Sequence, residues 1–250
     1  MIPVYSARQV DQLVACGRIL AEFWEVLRPL VAPGAVTADL DSFAEAFIRE
    51  RGADPAFKGY RGYPATLCIS VNHEVVHGVP RPDRRLAEGD LVGIDVGATL
   101  DGMVTDAARS YLVGGRPDPE GLRLLALGRQ ALDEGIAQAR AGSRVRDISQ
   151  AIQQRAEGAG CSVVRELCGH GVGERLHQEP EIPNYVRPGL SARLRPGMCL
   201  AIEPMINAGG HQVRFLTDGW TVVTADGRPS VHFEDTVIVT GGDPLVLTRR

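Results

Sequence analysis

Apolar residues recur at helical spacing at the start of the chain: Val10, Leu13, Val14, Leu20, Trp24 and Leu27 predict a helix reaching Pro29 or Pro33-Gly34. Ser6 and Gln9 supply a capping box at its start. A second stripe, Leu40, Phe43, Ala44, Phe47 and Ile48, predicts a helix from about Thr37 to a glycine cap at Gly52. A Gly- and Tyr-rich loop leads to a strand over Leu67–Val71. Further on, helical patterns cover Glu120–Arg140 and Arg146–Glu157. Strand patterns cover Val163–Leu167, Met198–Ile202, Trp220–Val223 and Val231–Val239, the last two joined through Asp226-Gly227.

Between the two helical pairs lies the stretch Leu91–Val113, two strands meeting at Asp101-Gly102, a dipeptide suited to a tight hairpin turn. A two-residue turn sets Leu100 opposite Met103 and Asp95 opposite Ala108. Asp106 then becomes the diagonal neighbour of Asp95 on the same face. Two carboxylates buried this way repel each other and lose hydration, at a cost of several kcal/mol unless a cation or protons compensate. From the hairpin alone, two solvated acids on a wet sheet face compete evenly with a metal site.

The second half of the chain repeats the order of the first. LAEGDLVGID, ending at Asp95, aligns with LRPGMCLAIE, ending at Glu203. His77-Gly78-Val79 matches His170-Gly171-Val172, and Asp106 before an apolar strand matches Glu234 before Thr-Val-Ile-Val. The order predicts one catalytic domain over residues 1–250, built as two similar α+β halves of about 1–115 and 116–250. The four acids would converge where the halves meet, a common place for a site. Four acids with one imidazole suit two ions of manganese, iron, cobalt or zinc. A calcium loop would cluster its oxygens in one short segment, and a structural zinc site would favour cysteine.

Composition narrows the setting. The chain is 44% hydrophobic and 23% charged with a net charge of −4, which argues against a sequence-specific nucleic-acid partner. Its five cysteines form no CxxC pair, which favours a reducing compartment, and the cytoplasm is the expected location. No apolar run is long enough to predict a membrane partner.

GYPATLCISVNHEVVHGVP, IDVG followed by TDAARS, CGHGVG, LHQEP, AIEPM and FEDT together resemble the type I methionine aminopeptidases, over about residues 8 to 240. The resemblance implies the pita-bread fold: two pseudo-symmetric α/β halves with a central antiparallel sheet and outer helices. It implies two divalent ions held by Asp95, Asp106, His170, Glu203 and Glu234. Asp106 and Glu234 would bridge both ions; Asp95 would bind one, and His170 and Glu203 the other. It also implies that His77 binds the scissile amide and that His177 supports the developing tetrahedral oxygen; we expect Glu203 to handle the proton of the attacking water. Phe57, Tyr60, Tyr63, Cys68, Leu176 and Trp220 would line the methionine pocket. Asn72 and Ser230 would lie near a monovalent cation. Independently, His232 shares the strand face of Glu234 and is expected beside the metal ligands. His73 and His211 match no role and are expected to be exposed.

Three positions depart from the pattern. Val104 and Asp235 stand where the family often has histidine, and Leu176 where it commonly has an aromatic. Only thirty residues separate Glu203 from Glu234, so the type II insertion is missing. The activity implied is removal of initiator methionine from nascent polypeptides by a monomer, with the ribosome a candidate partner. The alternatives are an X-Pro aminopeptidase or prolidase, and a non-catalytic peptide-binding module. The prolidases carry a sizeable N-terminal domain that is not expected here, and the full ligand set counts against the binding module.

Overall fold

The computed structural model describes residues 2–115 and 118–250. Met1 and the first two residues of the expected second half, Arg116 and Pro117, lie outside the described residues. Helix α1 spans Ala7–Leu27 and α2 spans Thr37–Glu50. The capping box forms as expected: the Ser6 hydroxyl accepts from the Gln9 N–H, and the Gln9 side chain accepts from the Ser6 N–H. Their buried faces, including Leu20, Phe23, Leu27, Leu40, Phe47 and Ile48, pack against Ile69, Val92, Ile94 and Val96.

Those last residues belong to strands β1 (Leu67–Val71) and β2 (Leu91–Leu100). β2 turns at Asp101-Gly102, both in the left-handed region, into β3 (Met103–Leu112). The register is the expected one: Leu100 faces Met103, Asp95 faces Ala108 and Gly97 faces Asp106.

Helices α3 (Pro119–Ala137) and α4 (Val145–Gly158) cover the second half, with Leu124, Leu132, Ile148 and Ile152 in a core of their own. α3 ends three residues before the expected Arg140. The Gln138 and Ala139 N–H groups bond back only three residues, which tightens and stops the helix. The strands that position the site are β4 (Cys168–Gly171), β5 (Gln178–Pro183), β6 (Cys199–Ile202), β7 (Ser230–His232) and β8 (Glu234–Ile238).

Asp54–Pro55, β2, β3, β8, β6, β4 and β5 lie side by side in that order, with β1 also on β2 and Leu245–Val246 on β8; every pairing among the described residues is antiparallel. The two halves meet at the β3–β8 pair, where Glu234 faces Ala108. A third core, including Tyr5, Leu13, Tyr63, Val172, Leu176 and Cys199, fills the seam.

The later strands correct the sequence expectation. Val163–Leu167 forms a strand only at Ser162–Val163, because Arg165 and Glu166 turn out into solvent. Trp220–Val223 and Val231–Val239 are not a hairpin. Val222–Thr224 pairs with Val213–Phe215 and Glu74–Val76, while β7 pairs with Met205–Asn207. The second run breaks at Phe233, whose N–H bonds the Pro204 carbonyl, and the chain passes there from a small sheet into the large one.

Candidate metal centre and substrate pocket

Strand register builds the site. Cys68 faces Asp95, Asp95 faces Ala108, and Ala108 faces Glu234, so four strands carry one row of residues on a common face. Asp106 is two residues from Ala108 and shares that face. From the other side His170 faces Ala201, and Glu203 follows Ala201 by two. The glycines of CGHGVG serve close approach. A side chain at Gly169 would meet the Ala201 carbonyl at 2.5 Å, and one at Gly171 the Glu179 carbonyl at 2.2 Å.

The resulting cavity holds about 280 Å³. Asp95, Asp106, His170, Glu203 and Glu234 all line it, as do His77 and His177. So do all six expected pocket residues: Phe57, Tyr60, Tyr63, Cys68, Leu176 and Trp220. A larger cleft of about 1140 Å³ lies on the helical side and contains Arg109 and Arg249, but none of these acids.

The polar floor is incomplete without a cation. Asp95 Oδ1, Asp106 Oδ1 and Glu234 Oε1 are buried without a hydrogen-bond partner. Burial raises the pKa of all four carboxylates, and repulsion from Asp106 adds to the rise at Asp95, Glu203 and Glu234. His170 Nδ1 lies 3.0 Å from the Gly171 carbonyl and donates to it, which leaves the Nε2 lone pair facing the acids. Nε2 is 3.4 Å from Glu203 and 3.9 Å from Asp106. Burial lowers the His170 pKa to about 4, so the ring is neutral and does not offset the carboxylates. Ligand atoms of Asp106, His170 and Glu234 lie within 4.8 Å of one another. Divalent ions bound here would give these groups the partners they lack, so the residues fit the metal chemistry expected of them.

Around the floor the walls are apolar and braced. The Tyr63 hydroxyl contacts the Leu67 and Gly78 carbonyls, and its ring meets Trp220 edge-on at 5.0 Å. The Tyr60 hydroxyl lies 2.9 Å from His177 Nδ1. Burial lowers the pKa of His177, helped by His170 and Arg61, so this ring too is neutral. His77 stands half-buried with a φ of 60° and is likewise held neutral by burial.

Other expectations separate. His232 does reach the centre: Nε2 is 3.6 Å from Glu203. His73 is exposed, but His211 is half-buried with Nδ1 unpartnered, against expectation. Ser230 N–H donates to the Asn72 carbonyl at 2.9 Å, while the two side chains bond Asn207 and Asp90. Val104 packs with the seam core. Sequence reasoning missed Arg61, which also lines the cavity. It also missed the partners of Asp235: Arg109 Nη2 at 2.6 Å, the Thr248 hydroxyl at 2.6 Å, and Arg249.

Comparison with known proteins agrees with this geometry. The model of metallopeptidase family M24 matches residues 11–241. A methionine aminopeptidase of Clostridium perfringens is 46% identical over 248 residues, covering 99% of each chain. Methionine aminopeptidase 1 of Bacillus subtilis is 45% identical over 249 residues, covering all of both. The crystal structure of methionine aminopeptidase from Thermotoga maritima superposes with a TM-score of 0.97 at 39% identity over both complete chains. A prolidase from Pyrococcus furiosus shares the fold, with a TM-score of 0.79 at 21% identity, over 99% of this chain and 65% of its own.

Proposed function

The chain belongs to metallopeptidase family M24, and from that premise we propose that it is a methionine aminopeptidase. It removes the first methionine from nascent polypeptides as one catalytic domain of two pseudo-symmetric halves. The observation that carries this reading is a buried floor of carboxylates with unsatisfied oxygens under an apolar, aromatic-walled cavity of side-chain size.

Asp95, Asp106, His170, Glu203 and Glu234 are the proposed ligands of two divalent ions. When bound, such ions act as Lewis acids on the substrate carbonyl and lower the pKa of water. The identity among manganese, iron, cobalt and zinc is a matter for metal analysis of the purified protein. A monovalent cation beside Asn72 and Ser230 remains part of the proposal, tested by the potassium dependence of Tm.

The protein's own groups divide the remaining work. Phe57, Tyr63, Cys68, Leu176 and Trp220 take up the methionine side chain and exclude water from it. His77 holds the scissile amide. A Tyr60 hydroxyl that donates to His177 Nδ1 leaves the proton on Nε2, where the ring can donate to the developing oxyanion. Glu203 accepts a proton on its carboxylate and returns it to the departing amine. Five free thiols suit a reducing cytoplasm, where a monomer would meet chains leaving the ribosome.

Cleavage of Met-Ala-Ser and of an Ala-Pro peptide, after chelation and metal add-back, tests the reading. Metal-dependent release of methionine from the first peptide alone supports it. Cleavage of only the Ala-Pro peptide would replace it with an X-Pro aminopeptidase. Cleavage of neither would leave a binding module.

A further inference from the structure

Arg61 is unlike its neighbours around the cavity. The charged groups of the floor are Asp95, Asp106, Glu203 and Glu234; among the described lining residues Arg61 is the one lysine or arginine. It is exposed at the lip, and no ion pair joins it to a carboxylate among the described residues. Its backbone is left-handed (φ 49°, ψ 23°) inside the short turn Tyr60–Gly62, a conformation that costs free energy in a residue other than glycine. An outlier of this kind at the edge of a site points to use of the side chain rather than to packing.

The side chain is also tied to the reacting end. Its guanidinium lies 5.3 Å from the centre of the Tyr60 ring, within cation–π reach, and Tyr60 contacts His177. Tyr60 therefore stands between the cation and the histidine proposed to serve the scissile carbonyl. The cavity is asymmetric in chemistry, with the carboxylates at its floor and a single guanidinium at its lip. A peptide that enters amino end first seats its first residue in the walled cavity and runs its following residues past Arg61. An extended chain rises roughly 3.3 Å per residue, so a lip one aromatic side chain beyond His177 is reached about two residues after the cleaved one.

We propose that Arg61 is a specificity-determining residue that selects chains bearing a carboxylate at the third position. The inference rests on the aminopeptidase reading. The test measures kcat/KM for amidated tetrapeptides Met-Ala-Xaa-Ser with aspartate, serine or lysine at Xaa, in wild type, Arg61→Gly and Arg61→Lys. Glycine removes the charge and relaxes the left-handed backbone, so loss of folding does not confuse the result. Wild type should favour aspartate over serine by about 2- to 5-fold, the scale of an exposed charge pair, and disfavour lysine. Arg61→Gly should be indifferent, Arg61→Lys should retain most of the preference, and raising the salt should shrink it. Equal wild-type rates on all three peptides, or a preference that survives in Arg61→Gly, would overturn the proposal and leave the aminopeptidase standing. No cleavage of any of them by wild type would overturn both.

Discussion

Glu234 and Asp235 are consecutive residues on one strand, both buried, both acidic, and opposite in condition. Asp235 points to the helical side and has two guanidinium groups and a hydroxyl around its carboxylate. Glu234 points to the cavity, where Oε1 has no partner and three more carboxylates crowd it. One acid is completed by the fold. The other is left with an unpartnered oxygen. A buried ion pair is costly to break from one side, because the abandoned charge stays buried. A cluster of unpaired acids costs stability until a ligand compensates it, and that is how a binding site differs physically from a structural one.

The largest expected effect falls on the open side. Asp106→Ala should reduce turnover to background with metal supplied, and Asp95→Ala should spare more metal, as measured by bound-metal analysis. Asp106→Asn removes a like charge, so the metal-free protein should melt a few degrees higher while losing the Tm rise that added metal gives wild type. A metal-free Asp106→Asn that melted lower would break the comparison. On the paired side, Asp235→Ala should cost about 3–5 kcal/mol of stability in a urea titration, by leaving the buried Arg109 without its carboxylate, while Arg249 keeps Asp133. A loss under 1 kcal/mol would show that the pairing on this face is not what holds Asp235.

Between these two extremes lie the groups proposed to act on substrate. His177→Ala should lower kcat by roughly 100-fold with a smaller change in KM, the pattern of a donor used in the transition state. A change confined to KM would remove that role. pH separates the faces further. Burial lifts Asp106 to about 7, and an ion must displace a proton held there. Metal affinity should therefore weaken as pH falls from 8 to 6, with protons released on binding in calorimetry. A flat profile would mean that the acids are already ionised. The smallest effect concerns the wall. A methionine side chain gains about 1.5–3 kcal/mol from burial, enough to reject alanine but not leucine, so shape must do the rest. Met-Ala peptides should be cleaved far faster than Leu-Ala peptides, and Cys68→Ala should narrow that ratio without changing metal content. An unchanged ratio takes Cys68 off the wall.

The hairpin and its acids were legible because a two-residue turn and a period of two leave no freedom once Asp101-Gly102 is placed. The repeat of Asp95 and Asp106 in Glu203 and Glu234 then foretold the seam between β3 and β8. Val231–Val239 looked like one strand because apolar alternation does not reveal that Phe233 changes sheets. Asp235 read as a departure from a family pattern, since its partners Thr248 and Arg249 come to it only through the C-terminal pairing on β8. Arg61 gave no periodic or chemical signal at all. Only its position at the lip makes it matter.

The alternation along β8 also makes the enzyme sensitive to parity. One residue inserted ahead of Glu234 would carry the unpaired acid to the arginines and the paired one to the cavity, while leaving the composition of the strand nearly untouched. Two inserted residues would restore both faces. Substitutions along this strand can be graded by size and charge, but insertions and deletions there can only be odd or even.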